Sequence, residues 1–235
     1  MTFDEIMNYC ADNNNVYDML LNSLKKQIVV PFIGAGMSDP IYPTWPKLLE
    51  ELSGHINNIK IKDQIRFQIP NSPQIAADQI AKARSLSVVL DDLRMLLKKK
   101  KITEYSEIEK MAIWILPELF PQTPVITTNY EGLLKYVFEK KGEEFGITLT
   151  PSRHDRSAQA KQRNLHYLYK IHGDIDDETE EDVIFTASQY QEKYNPSKEL
   201  VQDLTEWFSG RVMLFLGCSL EKDNTIDILK CGYPF

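Results

Sequence analysis

Apolar residues fall along this chain in two alternating spacings. Phe3, Ile6, Met7 and Cys10, then Val16, Met19, Leu20 and Leu24, recur every three or four positions, as on helices with one apolar face. Asn13-Asn14-Asn15 interrupts them, which predicts two short helices packed on the body of the domain. Ile28 to Ile33 is a continuous β-branched and aromatic run, the pattern of a buried parallel strand. Helical spacing then returns over residues 45–120. Leu48, Leu49 and Leu52 share one face; Ile75, Ala76 and Ile80, and then Leu86, Val89, Leu90, Leu93, Leu96 and Leu97, continue it. Ile108, Met111, Ala112, Ile115 and Leu116 make a further helix, stopped by Pro117. Thr44 is placed to cap the first helix of this region, with Pro46 in its first turn.

The second half returns to short strands. Pro124 to Thr128 and Leu165 to Ile171 read as strands, with a helix over Gly132 to Lys140 between them. Val183 to Phe185 reads as a short strand, residues 187–194 and 197–208 as helices, and Val212 to Leu216 as a fully apolar strand covered on both faces, with a last helix from about Asp223. The acidic run Asp174 to Asp182 reads as a solvated loop. Helices lying between strands imply a parallel sheet. The predicted fold is α/β: one domain over residues 1–235, a Rossmann-like parallel sheet with helices on both faces and a helical insertion, about residues 45–120, after the first strand.

Composition narrows the function classes. An apolar share of 43% suits a globular chain of 235 residues with a sizeable core. A net charge of -7 disfavours nucleic-acid binding by this domain alone. Lys98 to Lys101 end an amphipathic segment, where positive charge complements a helix C-terminus. Cys10, Cys218 and Cys231 are an odd number with no C-x-x-C pair, against a disulfide framework or a structural zinc site. No stretch has the length of a signal-peptide core or a membrane span, so a cytoplasmic protein with reduced thiols and no membrane partner is expected.

The polar residues that carry chemistry stand at strand ends. The first strand runs into Gly34-Ala35-Gly36-Met37-Ser38, the second into Thr128-Asn129-Tyr130-Glu131, the third into His172-Gly173, and the last into Gly217-Cys218-Ser219-Leu220. In parallel α/β sheets ligands bind at the carboxyl ends of the strands, so these four ends would bring Ser38, Asn129, His172 and Ser219 to one crevice. Gly34 and Gly36 permit a tight turn and close approach to a ligand, and amides before a helix N-terminus cradle phosphate. Asp39 stands where the dinucleotide fingerprint has its third glycine. Each residue also has a structural reading. Asn129 could cap the next helix, His172 could be a satisfied strand-end histidine, Ser219 could cap the last helix, and Trp45 could be a core residue.

In their order along nearly the whole chain, these four motifs resemble the NAD-binding motifs of sirtuins. The T-T-N-Y and G-C-S-L forms are most similar to the sirtuin-like domains of bacterial proteins, a branch in which several members degrade NAD during phage infection. The resemblance implies that Gly34, Ala35, Gly36 and Ser38 hold the NAD diphosphate. It implies that Asn129, after Thr128, binds the nicotinamide-side ribose and places a water, and that His172 is the general base. Gly217, Cys218 and Ser219 would lie under the adenosine half. Glu131 takes the place of an aspartate near the carboxamide. The implied activity is an NAD+ hydrolase giving nicotinamide and ADP-ribose, open or cyclic, acting in anti-phage defence. The residue types suit it: the departing base leaves an oxocarbenium-like sugar, and a held ribose, a placed water and a proton acceptor near pKa 6.5 are what the step requires.

Two other readings follow from the same resemblance: a protein deacylase, and a non-catalytic NAD or ADP-ribose sensor. Deacetylating sirtuins carry two zinc-binding cysteine pairs after the histidine motif. This chain has no cysteine between Cys10 and Cys218, so no zinc is expected. Unrestrained NAD loss would kill a cell, which implies control by a homo-oligomer, an activating partner or another domain. In that branch the domain commonly stands N-terminal in a longer protein, and the same is expected here.

Overall fold

The computed structural model describes residues 2–98, 100–163, 165–176, 182–195 and 197–219. Among these residues five strands form one sheet: β1 (Val29–Ile33), β2 (Val125–Thr127), β3 (Ile147–Leu149), β4 (Tyr167–Lys170) and β5 (Val212–Leu216), in the order β3-β4-β2-β1-β5. Every pairing is parallel. The α-helices that accompany them are α1 (Phe3–Tyr9), α2 (Asn13–Lys25), α3 (Trp45–Gly54), α4 (Ile59–Gln68), α5 (Pro73–Arg84), α6 (Leu86–Leu96), α7 (Lys100–Glu104), α8 (Leu116–Leu119), α9 (Leu133–Lys140), α10 (His154–Gln162), α11 (Ala187–Lys193) and α12 (Glu199–Gly210). The fold is the Rossmann-like α/β arrangement that the spacing predicts, with α3 to α8 inserted between β1 and β2.

Strand pleating sends alternate residues to opposite faces and divides the core in two. Ile33, Val125 and Leu168 pack with Leu49, Leu52, Ile80, Leu93 and Val137 from the insertion and α9. Val30, Phe32, Ile126, Tyr167 and Tyr169 pack with Leu200, Leu204 and Phe208 of α12 on the other face. Burying one such side chain contributes about 1.5–3 kcal/mol, so these two layers dominate the cohesion of the sheet. Pro31 sits in a central strand, where a missing N–H is ordinarily a defect. It is tolerated because pairing with β2 begins only at Phe32, leaving β1 with β5 as its one partner at Pro31.

Several expectations are corrected. Strand β3 and helix α10 are absent from the sequence reading: three residues are too few for periodicity to register, and α10 is almost wholly polar. Val183 to Phe185 is fully buried but joins no strand, because Ile184 N–H donates to His172 O at 3.0 Å and Ile184 O accepts from Tyr130 OH at 2.6 Å. Helices α1 and α2 bury no residue, with Tyr9 83% exposed, although Leu20 and Leu24 touch the core. Among the described residues strand β5 is a half-exposed edge rather than a strand covered on both faces. The helix expected from Asp223 lies outside the described residues. No helix among the described residues is long and apolar enough to cross a membrane.

The acidic run is not solvated at its ends. Asp182 is buried and accepts from Thr150 Oγ1 at 2.6 Å and Ser152 N at 2.9 Å. Asp174 is buried against Lys170, whose ammonium is 0% exposed. Lys170 Nζ donates to Asp174 Oδ1 at 2.7 Å, to Tyr130 O at 2.6 Å and to Glu131 O at 3.0 Å, and Lys135 also pairs with Asp174. Burial alone would raise the Asp174 carboxyl, but the two lysines, Lys170 foremost, outweigh it and hold the carboxyl below its ordinary 3.8.

Close backbone packing joins the strand ends. Gly34 N–H donates to Leu216 O at 2.9 Å, and Gly36 N–H to Gly217 O at 3.0 Å. Gly217 has φ +67°, and a Cβ there would come within 2.5 Å of Met37 N.

Gly217→Ala should therefore lose about 2 kcal/mol or more from left-handed strain and backbone overlap, a fall in Tm of about 4–8 °C in calorimetry for a chain of this size. Gly210→Ala, where nothing lies within 4 Å, should be neutral or slightly stabilising. Asp174→Asn should lose about 3–5 kcal/mol at neutral pH by stranding Lys170. A carboxyl with a lowered folded pKa gives stability above its unfolded pKa of 3.8, and that stability is lost as pH falls through the folded value. Melting curves of wild type and Asp174→Asn should therefore begin to converge below about pH 5 and go on converging as the pH falls through the folded value; parallel curves would refute the role given to Asp174.

Candidate functional site

Four strands end on one rim, and a cavity of about 600 Å³ opens there. Ligand pockets are commonly about 300–1,000 Å³. Gly34, Ala35, Gly36 and Ser38 line it from the end of β1, Thr128, Asn129, Tyr130 and Glu131 from β2, His172 from β4, and Gly217, Cys218 and Ser219 from β5. The insertion supplies the facing wall, with Tyr42, Trp45, Pro70 and Pro73 among its residues. The site residues expected at the strand ends thus meet at one cavity; Leu220 lies outside the described residues. Trp45, read as a core residue, is partly buried against the core and packs edge-on against Phe185 at 5.4 Å, and it also lines the cavity.

The glycine loop differs in detail from a helix N-terminus. Ala35–Met37 is a single 3-10 turn, and the next helix, α3, begins only at Trp45. Thr44 occupies the N-cap position of α3 without a side-chain capping bond. The amides of Gly34 and Gly36 are engaged by β5 and the turn after it, and those of Met37 and Ser38 by Gly34 O and Ala35 O. Among the described residues Ala35 N–H is the amide of this turn left without a backbone acceptor.

Asn129 is not a helix cap. Its backbone N–H donates to Thr127 Oγ1 at 3.0 Å, and Thr127 in turn donates to Ile33 O at 2.8 Å, tying β2 to β1. The side-chain Nδ2 meets Ser38 Oγ at 3.0 Å, Glu131 Oε1 at 3.0 Å and Gly34 O at 3.3 Å. Asn129 is 6% exposed, and its Oδ1 is buried with no partner among the described residues. Glu131, not Asn129, receives the first free amide of α9, Leu133 N–H, at 2.6 Å.

His172 is buried among tyrosines that the sequence reading did not single out. Its Nε2 lies 2.7 Å from Tyr194 OH and its Nδ1 3.4 Å from Tyr190 OH. Tyr190 lines the cavity, and the two tyrosines stand four residues apart, the spacing of one helix face. That spacing was the available signal. For Lys170 the signal was a cation inside an apolar strand. Burial, then the Glu131 and Asp176 carboxylates, push the Tyr42 phenol above its ordinary value, and its hydroxyl donates to Lys98 O at 3.1 Å, so it is the ring that lines the cavity. His166 stands apart from the cavity, packed 4.5 Å from the Phe145 ring. The Cys218 thiol lies 3.6 Å from Phe32 O. Among the described residues no group of three or more His, Cys, Asp or Glu side chains is placed to hold a metal.

The site therefore offers a flat glycine wall, an unpaired carbonyl oxygen, an imidazole between two phenols and an aromatic cover. No curated protein matches the chain. Residues 123–231 match the model of the SIR2-like domain family, a stretch that takes in β2 to β5 with Asn129, Glu131 and His172, while the Gly34–Ser38 loop precedes it. Over that stretch the chain is similar to a SIR2-like domain.

Proposed function

We propose that the chain is an NAD+ hydrolase that cleaves the nicotinamide–ribose bond to nicotinamide and ADP-ribose, open or cyclic. One observation carries the reading: an unpaired, buried Asn129 Oδ1 shares the rim cavity with His172. The similarity to a SIR2-like domain, a family typically of NAD-utilising enzymes, supports it.

In this reading the diphosphate lies along Gly34, Ala35, Gly36 and Ser38. The glycines let the wall approach and Ala35 N–H donates to a phosphate oxygen. Asn129 accepts a hydroxyl of the nicotinamide-side ribose and orients the attacking water, holding both in reacting geometry. His172 takes the proton released in the step, with Tyr194 and Tyr190 holding its ring in place. Thr128 shapes the nicotinamide end, and Gly217, Cys218 and Ser219 underlie the adenosine. Trp45, at the start of the insertion, and Tyr42, just before it, cover the ligand and keep bulk water from all but the position of the attacking water. No zinc takes part. Turnover in the cell is restrained by an oligomer, a partner or a further domain, and the biological setting is anti-phage defence.

The test is incubation of the purified chain with NAD+, products being separated by chromatography. Asn129→Ala should lower turnover by orders of magnitude while weakening NAD binding much less. His172→Ala should lower it about 10²–10⁴-fold, and the double variant should be little worse than the poorer single one, because residues acting as a unit are not additive. The control is His55→Ala, whose imidazole is half-exposed against Asp92. The buried His166 would confuse activity with folding. Full turnover in Asn129→Ala beside an active wild type would end the reading.

A further inference from the structure

Residue 131 is where the chain departs from the motif it resembles, and its surroundings suggest a task other than contact with the ligand. Glu131 Oε1 accepts from Ser38 Oγ at 2.6 Å and from Asn129 Nδ2 at 3.0 Å, and Oε2 accepts from Leu133 N–H at 2.6 Å. Both carboxylate oxygens are thus taken up by protein donors, and the residue is buried. Its backbone is held from beneath, where Lys170 Nζ donates to Tyr130 O and Glu131 O.

Asn129 has only one orientation consistent with these neighbours. Two of the three groups around Nδ2, Gly34 O and Glu131 Oε1, are acceptors that cannot donate. A flipped amide would set its own carbonyl oxygen against both. The NH₂ must therefore face Glu131, which leaves Oδ1 buried and unpaired. An unpaired buried carbonyl is costly, and a ligand donor relieves the cost.

We infer that Glu131, with Ser38, is a positioning residue that locks the Asn129 amide, so that the site presents a bare acceptor for a neutral O–H donor, a sugar hydroxyl or a bound water. The ligand's identity as NAD rests on the reading above; the lock itself does not. This assigns Glu131 away from the nicotinamide carboxamide. Its side chain is long enough to turn back to Ser38, Asn129 and the first turn of α9, and the contacts it makes are those.

Glu131→Gln is the decisive variant, because it keeps the shape but can accept at one end only. Leu133 N–H can only donate and keeps the amide oxygen, so the NH₂ must face Ser38, whose hydroxyl can turn to accept, and Asn129 Nδ2, which then loses its acceptor. The first measurement is hydrogen exchange of the Asn129 side-chain NH₂ by ¹⁵N NMR, assigned by its loss in Asn129→Ala. It requires no turnover. In wild type these protons should exchange at least about tenfold more slowly than those of an exposed asparagine, and Glu131→Gln should remove the protection. The second is kinetic: kcat should fall about 10–100-fold with KM little changed, while inhibition by free nicotinamide stays as in wild type. A melting curve accompanies each variant. Should Glu131→Gln not fold, Ser38→Ala, which removes one support and keeps the carboxylate, should speed the exchange several-fold and decides instead.

The inference is overturned if the Asn129 amide exchanges equally fast in wild type and in the Glu131→Gln variant, or if nicotinamide inhibition weakens tenfold while kcat holds. A wild type that protects the amide yet leaves NAD+ intact in its activated native assembly would end the hydrolase reading and keep the lock.

Discussion

Strand β1 is paired in parallel on both sides, with β2 at Phe32 and Ile33 and with β5 from Val29 to Ile33. Parallel pairing brings neighbouring strands to an end on the same side of the sheet, and ligands collect at that side. The glycine loop, Asn129 and Gly217 are therefore neighbours because their strands are neighbours. Pairing of β2 with β4 carries the rim on to His172. The close fit of the rim sets its own sequence demands: a Cβ on Gly34 would meet Gly217 O at 2.6 Å, so the loop after β1 and the turn after β5 must both be bare backbone.

On this rim the polar groups are settled by burial. Away from water each donor and acceptor must find a partner in the protein or in a ligand. Lys170 finds three acceptors, and in doing so ties β4 to the loop after β2. Glu131 finds three donors and ties that loop to the one after β1. The low dielectric that makes an unpaired charge expensive makes each of these ties stiff. Among the described residues Asn129 Oδ1 is left without a partner.

The second wall comes from the insertion. Asp78 on α5 accepts from Ala187 N–H at 2.8 Å, at the start of the helix that presents Tyr190 to His172. The insertion and the histidine end of the rim are thereby mechanically joined, and the cavity lies between them. A ligand there would touch both, so its enclosure depends on helices far from the sheet in sequence.

By itself the sequence determined the elements and the rim. Period-two and continuous apolar runs are local properties, and they placed four of the five strands and the insertion between the first two; polar residues that follow such runs belong at strand ends whatever the tertiary detail. It was silent where the signal is short or where a residue's neighbour is distant. The three residues of β3 carry no period. Val183 to Phe185 has the composition of a strand but finds its hydrogen bonds on His172 O and Tyr130 OH instead of on a sheet edge. Asp182, inside an acidic run, reads as solvated because its partner Thr150 stands 32 residues earlier; Asp174 has Lys170 only four residues away, and what the local pattern does not show is that both are buried at the end of β4. Only the tertiary structure decided which amides of the glycine loop are already used, that Asn129 faces the cavity with an unpaired oxygen, and that Glu131 turns inward. Each of those depends on what lies opposite in space, and hydrogen-bond partners 91, 93 and 95 residues apart leave no trace in a local pattern.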